Sequence, residues 1–229
     1  AEYIKDNSTK KEFRDFLDGE IKKIFENIEI EELNYEKDKE PIRKILLWFN
    51  ISTIIQNEKS NIKFQFDRYK KESWDIEHIR SQADKYPDKE EKESWIKDIL
   101  NLTDDKKTEE EILEMSEEAF KLFYNKVQNN IEGENSDFDK HSIGNLTLLD
   151  SATNRGYGNA FFPVKRKTII ENDKKGTFIP ICTKNLFLKY YSLTATDLQK
   201  WTEEDAKDYK SAILETFEEL KNGAKNEKQ

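Results

Sequence analysis

Apolar residues near the start of the chain recur at the spacing of α-helices. Over residues 12–28 they fall every three or four positions, which predicts a helix with one apolar face. After the charged run 29–40, Pro41 suits a first helical turn, and residues 42–56 are apolar almost all round. That pattern predicts a second helix, buried between neighbours. We interpret residues 1–62 as a helical scaffold segment that packs in a core, and we assign it no chemistry.

Two short segments with strand character follow, and helices separate them. Residues 63–79 alternate apolar and polar side chains in places, and residues 146–149 form a short apolar run. Between them, residues 88–102 and 108–131 have helical spacing, the latter behind a Thr-x-x-Glu capping box. We therefore expect two short strands that are separated by a helical insertion at about residues 83–135.

The last third of the chain is predicted to be helical. A short helix after the second strand carries Asn154, and Pro163 then begins a basic helix. Two more helices with apolar faces complete the pattern. We expect a second domain over residues 63–222 and a disordered tail over residues 223–229.

Composition limits the classes of protein to which the chain can belong. The net charge is -9, with 38% charged and 35% hydrophobic residues. This balance argues against a protein that holds nucleic acid through a global positive field, because phosphate binding depends on Lys and Arg displacing counterions. Any such binding would have to come from local clusters of positive charge.

The single cysteine and the lack of a secretion signal or membrane span in this sequence indicate a cytoplasmic protein. Cys182 is the single cysteine, which excludes an internal disulfide and a cysteine-based zinc site and fits a reducing compartment. No apolar run approaches the roughly 20 residues that span a bilayer, and no secretion signal opens the chain. We predict a cytoplasmic protein without a membrane partner. Because the chain starts at Ala1 and has Met115 as its one methionine, we also expect it to be the C-terminal part of a longer protein.

A cluster of polar residues at the end of the first strand offers chemistry. Hydrolysis of a phosphodiester needs an activated water, neutralised phosphate charge and help for the leaving oxygen, which a histidine and one metal ion can supply. Asp75 and Glu77 should share one strand face and His78 the other, unless a twist or bulge turns both kinds of group into one cleft. Asn154 offers a neutral oxygen, and such ligands suit Mg²⁺. Alone, Glu77 could equally be a solvated charge and His78 a hydrogen-bonded turn residue.

Three sequence stretches together resemble a known nuclease signature. They are WDIEHI at 74–79, HSIGNLTLLDSATNRGYGN at 141–159 and FFPVKRK at 161–167. The combination resembles the HNH nuclease motif of the C-terminal domain of GmrSD-type modification-dependent restriction endonucleases. It is also similar to the HNH domain of RNA-guided CRISPR nucleases. The resemblance covers mainly residues 74–82 and 141–167.

This resemblance implies a fold and a set of residue roles. The fold is a mainly α domain that encloses a ββα-metal element of two short antiparallel strands and one helix. His78 matches the general base, and Glu77 and Asn154 match the metal ligands of the catalytic site. Asp75 is placed as a second carboxylate near the metal. Asn145 matches the residue of the signature that braces the loop through backbone hydrogen bonds.

Basic residues beside this motif are candidates for phosphate contacts. Arg155 follows the expected metal ligand, and a guanidinium offers paired donors to phosphate oxygens. Lys165 and Arg166 belong to the basic run behind it, which suits binding of a nucleic-acid backbone; an ordinary solvated helix face would look the same. His141 could touch phosphate or orient its loop, and a structural turn histidine is an equal alternative.

The resemblance therefore implies a DNA endonuclease of a phage-defence restriction system that uses Mg²⁺ or Mn²⁺. It also implies an N-terminal nucleotide-binding or sensor domain as a partner. This sequence differs from the HNH signature in two ways. Arg80 and Ser81 stand where the related segment often has proline before Gln82, and the helical insertion replaces a short loop. Two alternatives remain, an HNH-like module that binds DNA or protein without cutting, and a helical interaction scaffold.

Overall fold

Most of the chain is described by a computed structural model, which covers residues 9–81, 86–87, 89–102, 107–132, 138–157, 160–192 and 197–222. Over these residues the fold is mainly α, with one small two-stranded antiparallel sheet. The predicted fold class, a helical domain around a small ββα element, is confirmed. The tail expected to be disordered, residues 223–229, lies outside the described residues.

The order of the elements places three helices between the two strands. In the described residues the elements are α1 (Lys10–Phe25), α2 (Lys39–Gln56), α3 (Phe66–Lys71), β1 (Trp74–His78), α4 (Lys89–Leu102), α5 (Glu109–Leu113), α6 (Glu117–Glu132), β2 (Leu146–Asp150), α7 (Ser151–Tyr157), α8 (Phe162–Lys174), α9 (Ile181–Phe187) and α10 (Glu203–Asn222). None of these described helices is both long and apolar enough to cross a membrane.

The two strands pair in a regular antiparallel register, from Trp74 opposite Asp150 to His78 opposite Leu146. β2 is buried along its whole length and β1 at all positions except Asp75, which is partly exposed. Helices α2, α7 and α9 pack against this hairpin. Since a shift by one residue would turn every side chain to the other face, this packing fixes which polar groups of β1 face which helices.

Two hydrophobic cores hold the helices. The larger core surrounds the hairpin and includes Ile42 and Leu46 of α2, as expected for a helix that is apolar almost all round. The smaller core joins α4, α5 and α6 around Trp95 and Phe123. Phe161, directly before α8, packs into this second core. The helical insertion therefore buries its own apolar faces.

Three local predictions differ from the structure. Residues 66–71 form α3 rather than extended chain, because a helical turn brings Tyr69 onto Trp74, with ring centroids 5.2 Å apart. The helix predicted over 108–131 is divided into α5 and α6, although its Thr108 capping box is present. On α1 only Phe25 is buried.

The sequence predicted that the apolar face of α1 packs in a core. In the structure this face is not packed in a core along its whole length. Phe13 and Leu17 are 41% and 42% exposed, whereas Ile21 is partly buried against the main core. Helical periodicity identifies such a face but cannot show whether the fold covers it.

Candidate active site

The hairpin separates the polar side chains at the end of β1. Strand pairing stays regular through His78, so the twist or bulge that could turn Glu77 and His78 into one cleft is not formed. Glu77 contacts Lys165 of α8, whereas the ring of His78 contacts Tyr35. Glu77 and His78 therefore lie on opposite faces of the hairpin, since each has its own partner there.

Asn154 is positioned by the helix that follows β2. Asp150 caps α7, because its Oδ1 accepts a hydrogen bond from the backbone N–H of Thr153 at 2.8 Å. Helix α7 packs against both strands. This arrangement brings the side-chain Nδ2 of Asn154 to 3.4 Å from Oδ2 of Asp75, a long hydrogen bond. Two of the predicted metal ligands are thus neighbours.

Glu77 forms a buried ion pair with Lys165. The Nζ of Lys165 lies 2.5 Å from Oε1 of Glu77 and 2.6 Å from the backbone carbonyl oxygen of His78. The two side chains are 2% and 9% exposed. Burial raises the pKa of Glu77, and the ammonium of Lys165 partly opposes that shift.

Helix geometry explains why Lys165 points inward. Phe162, Lys165 and Ile169 are spaced as i, i+3 and i+7, and each is 1% exposed or less. Arg166 instead donates from Nε to the carbonyl oxygen of Phe187 at 3.0 Å. Consecutive residues of a helix point about 100° apart, so a run of basic residues cannot share one face.

These contacts differ from the single open basic surface that was expected, and the phosphate contact of Arg166 stays a prediction. Lys165 and Arg166 both face protein partners in this structure rather than a common open surface. Arg155 lies in α7 directly after Asn154, but its side chain is outside the part of the protein that the structure describes. Its phosphate contact stays a prediction.

His78 is held among aromatic and basic groups. Its ring centroid lies 4.4 Å from that of Tyr35, at an interplanar angle of 75°. The residue is 8% exposed, and this burial lowers the pKa of His78 to about 3. The positive charges of Lys165, His141, Lys39 and Lys140 also contribute to the lower pKa. The imidazole is therefore neutral at physiological pH.

His141 lies next to this pocket, on the loop before β2. Its ring stacks on Tyr35 at a centroid distance of 6.4 Å and meets His78 edge-on at 6.0 Å. Its carbonyl oxygen accepts a hydrogen bond from the backbone N–H of Tyr35 at 3.1 Å. Nε2 of His141 is 3.9 Å from Oε1 of Glu36. His141 thus has contacts that orient its loop, and it also lies near His78.

Asn145 has the bracing contacts that the resemblance implied. It is fully buried, and its Oδ1 accepts from the backbone N–H of Arg80 at 2.8 Å. Its Nδ2 donates to the carbonyl oxygens of Arg80 at 3.1 Å and Lys140 at 3.0 Å. The side chain therefore joins the chain after β1 to the loop before β2, and its effect on catalysis stays a prediction.

The polar side chains on the α7 side of the hairpin carry the oxygen ligands that a hard divalent ion prefers. Asp75 and Glu77 alternate with Ile76 and so share one strand face, and Asn154 lies beside Asp75. Two carboxylates and an amide oxygen are suitable ligands for Mg²⁺ or Mn²⁺. The described residues contain no group of three or more His, Cys, Asp or Glu side chains placed to hold a metal ion. The amide of Asn154 would thus have to complete any such site.

Two contributors to the site were missed from the sequence. Tyr35 and Lys39 come from the segment assigned no chemistry, where the Nζ of Lys39 lies 4.6 Å from the centroid of the Tyr35 ring. Tyr35 is one of the few apolar residues in the charged run 29–40, which was a weak signal. The sequence contained a stronger signal that Lys165 is buried, because its helical spacing places it on the same face as the apolar residues Phe162 and Ile169.

Comparison with known proteins supports the resemblance found in the sequence. Residues 117–216 match the family model of the C-terminal domain of GmrSD restriction endonucleases. No curated protein and no solved structure matches the chain. The matched segment contains β2 and α7, and β1, which lies before it in the chain, pairs with this β2.

Proposed function

Because residues 117–216 match the family model of the C-terminal domain of GmrSD restriction endonucleases, we propose that the chain is a metal-dependent DNA endonuclease of the HNH type. One observation supports the type: β1, with Asp75, Glu77 and His78, pairs in register with β2, and α7, with Asn154, packs on both strands. This is the two-strand and one-helix arrangement of a ββα-metal element. The proposed setting is a restriction system that acts against phage DNA.

His78 is the proposed general base. A neutral imidazole can accept a proton from water, and burial keeps His78 neutral. Its low pKa alone would make it a weak base. A phosphate anion near the ring would raise that pKa, because negative charge favours the protonated form and offsets the lysines around it. The edge-on contact with Tyr35 would keep the ring in place during proton transfer.

Asp75, Glu77 and Asn154 are the proposed ligands of Mg²⁺ or Mn²⁺. Such an ion, when bound, acts as a Lewis acid that stabilises negative charge on the phosphate. Asp75 is the one residue of β1 that is partly exposed. Glu77 is buried, and its negative charge is already balanced by Lys165.

Local positive charge would attract the DNA to this acidic protein. Lys39 is exposed beside Tyr35, and Lys140 lies next to His141, so both act electrostatically on His78. Together with Arg155, Arg166 and His141 they are the proposed phosphate contacts, whereas Lys165 is buried against Glu77. An N-terminal nucleotide-binding domain and a cytoplasmic location remain part of the proposal.

The decisive experiment is nicking of supercoiled plasmid by the purified protein with Mg²⁺ or Mn²⁺. We expect metal-dependent nicking that is lost in His78→Ala and kept in Lys121→Ala, a residue of the helical insertion whose side chain is 43% exposed. Equal nicking by the original chain and His78→Ala would refute the assignment of the base. Intact DNA binding without cleavage under any divalent ion would instead favour the noncatalytic DNA-binding module.

A further inference from the structure

Lys165 is buried, which is unusual for a lysine. It is 1% exposed, although its charge would ordinarily keep the ammonium in water. Its ammonium donates hydrogen bonds to the carboxylate of Glu77 and to the carbonyl oxygen of His78. Glu77 is a proposed metal ligand, and His78 is the proposed general base.

The ammonium supplies the positive charge that a divalent ion would otherwise supply to Glu77. A buried carboxylate without a counter-charge is strongly destabilising. Lys165 removes this cost when no metal is bound, because it neutralises Glu77 at 2.5 Å. A metal ion that takes Glu77 as a ligand has to compete with this ion pair.

We propose that Lys165 is the built-in counter-ion of the metal site: it competes with the divalent ion for Glu77 and so lowers the metal affinity of the protein. This inference rests on the proposed metal site. The carbonyl oxygen of His78 gives the ammonium a second partner when the carboxylate turns to the metal. The flexible four-carbon stem of lysine permits that small shift, which the planar guanidinium of arginine would not match.

The protein contains a matched control for this ion pair. Lys189, which follows α9, is bonded to Asp205 of α10, and the two side chains are 2% and 4% exposed. The ammonium of Lys189 also donates to the carbonyl oxygen of Lys200. This second pair has the same chemistry and burial, but its partners are not ligands of the proposed site.

The first experiment measures Mn²⁺ affinity by the loss of the free-ion signal in electron paramagnetic resonance. We compare the original chain with Lys165→Met, Lys165→Gln and the control Lys189→Met. Both Lys165 variants should bind Mn²⁺ about tenfold more tightly, within the usual range for coupled binding events. Their melting temperatures should fall without metal and recover with Mn²⁺, whereas Lys189→Met should lose stability with no recovery.

The second experiment uses the original chain, so it does not depend on whether a variant folds. Acetylation of each lysine by acetic anhydride is followed by peptide mass spectrometry, with and without saturating Mn²⁺. Lys165 should react faster when Mn²⁺ is present, because the metal releases it from Glu77, and Lys189 should react at an unchanged rate.

The outcomes separate this inference from the proposed function. Mn²⁺ binding by the original chain, with neither tighter binding by the variants nor faster acetylation of Lys165, overturns the counter-ion role and leaves the nuclease proposal intact. Absence of Mn²⁺ binding in the original chain and in all variants overturns the metal site itself, and the counter-ion role with it.

Discussion

The side chain of Asn145 is hydrogen-bonded to both the backbone N–H and the backbone carbonyl oxygen of Arg80. Its Oδ1 accepts from the backbone N–H at 2.8 Å, and its Nδ2 donates to the carbonyl oxygen at 3.1 Å. This contact spans the helical insertion in the sequence and fixes the chain directly after His78. The position of the chain at the end of β1 therefore depends in part on one amide side chain.

Replacement of this amide should mainly cost stability. Asn145→Ala removes three hydrogen bonds to the backbone of Arg80 and Lys140, two of them buried and one part-buried. We expect a loss of about 2–4 kcal/mol in the free energy of unfolding, measured by urea denaturation. Asn125→Ala, at an exposed position of α6, is the control and should change it by less than about 0.5 kcal/mol. Equal stability of the two variants would contradict the bracing role.

Replacement of Asn154 should lower activity and not stability. Its side chain is half-buried and makes one long hydrogen bond to Asp75. Asn154→Ala should therefore leave the unfolding midpoint nearly unchanged but lower Mn²⁺-dependent nicking by at least about tenfold, as expected for a lost metal-site contact. The measurement is nicking rate against Mn²⁺ concentration. Unchanged metal dependence would remove Asn154 from the site.

Tyr35 should matter to catalysis through its ring and not its hydroxyl. The ring packs edge-on against His78 and is stacked on His141. Tyr35→Phe keeps these contacts and should retain full nicking activity. Tyr35→Ala should lower the nicking rate about tenfold, which corresponds to the loss of one aromatic pair that orients His78. A similar rate for both variants would show that Tyr35 does not position His78.

Two glycines provide a paired test of close packing. A Cβ on Gly144 would lie 2.5 Å from the carbonyl oxygen of Ala206 on α10, whereas a Cβ on Gly19 in α1 would meet nothing within 4 Å. Gly144→Ala should cost about 1–3 kcal/mol of stability because the backbone of α10 must move. Gly19→Ala should add about 1 kcal/mol, the usual gain in helix propensity. Urea denaturation of both variants gives the comparison.

Cys182 should be unreactive in the folded protein at neutral and mildly alkaline pH. It is fully buried, and this burial raises the pKa of its thiol to about 12 from an ordinary value of 9.0. The thiolate is the reactive form, so Ellman's reagent at pH 8 should label Cys182 only after unfolding in guanidinium. Because the unfolded chain ionises first, this thiol should lower stability as pH rises from 9.0 towards 12. Rapid labelling of the folded protein would contradict its burial.

Local pattern in the sequence determined a large part of this fold. The apolar run of α2, the apolar periodicity of α10, the capping box at Thr108 and the proline in the first turn of α8 all act within a few residues, so they can be recognised without knowledge of distant contacts. The segment with β2 and α7 was predictable for the same reason, because Asn145 and Asn154 lie in one continuous stretch. The signature residues then implied which chemistry to expect.

Only the tertiary structure decided how these parts meet. The pairing of β1 with β2 across the helical insertion, the contact of Tyr35 with His78 and the ion pair of Lys165 with Glu77 all join residues far apart in the sequence. Such contacts depend on which faces are buried together and on which buried charge finds an opposite charge. A run of basic residues therefore indicated phosphate binding, but burial directed Lys165 to the carboxylate that the sequence had assigned to the metal.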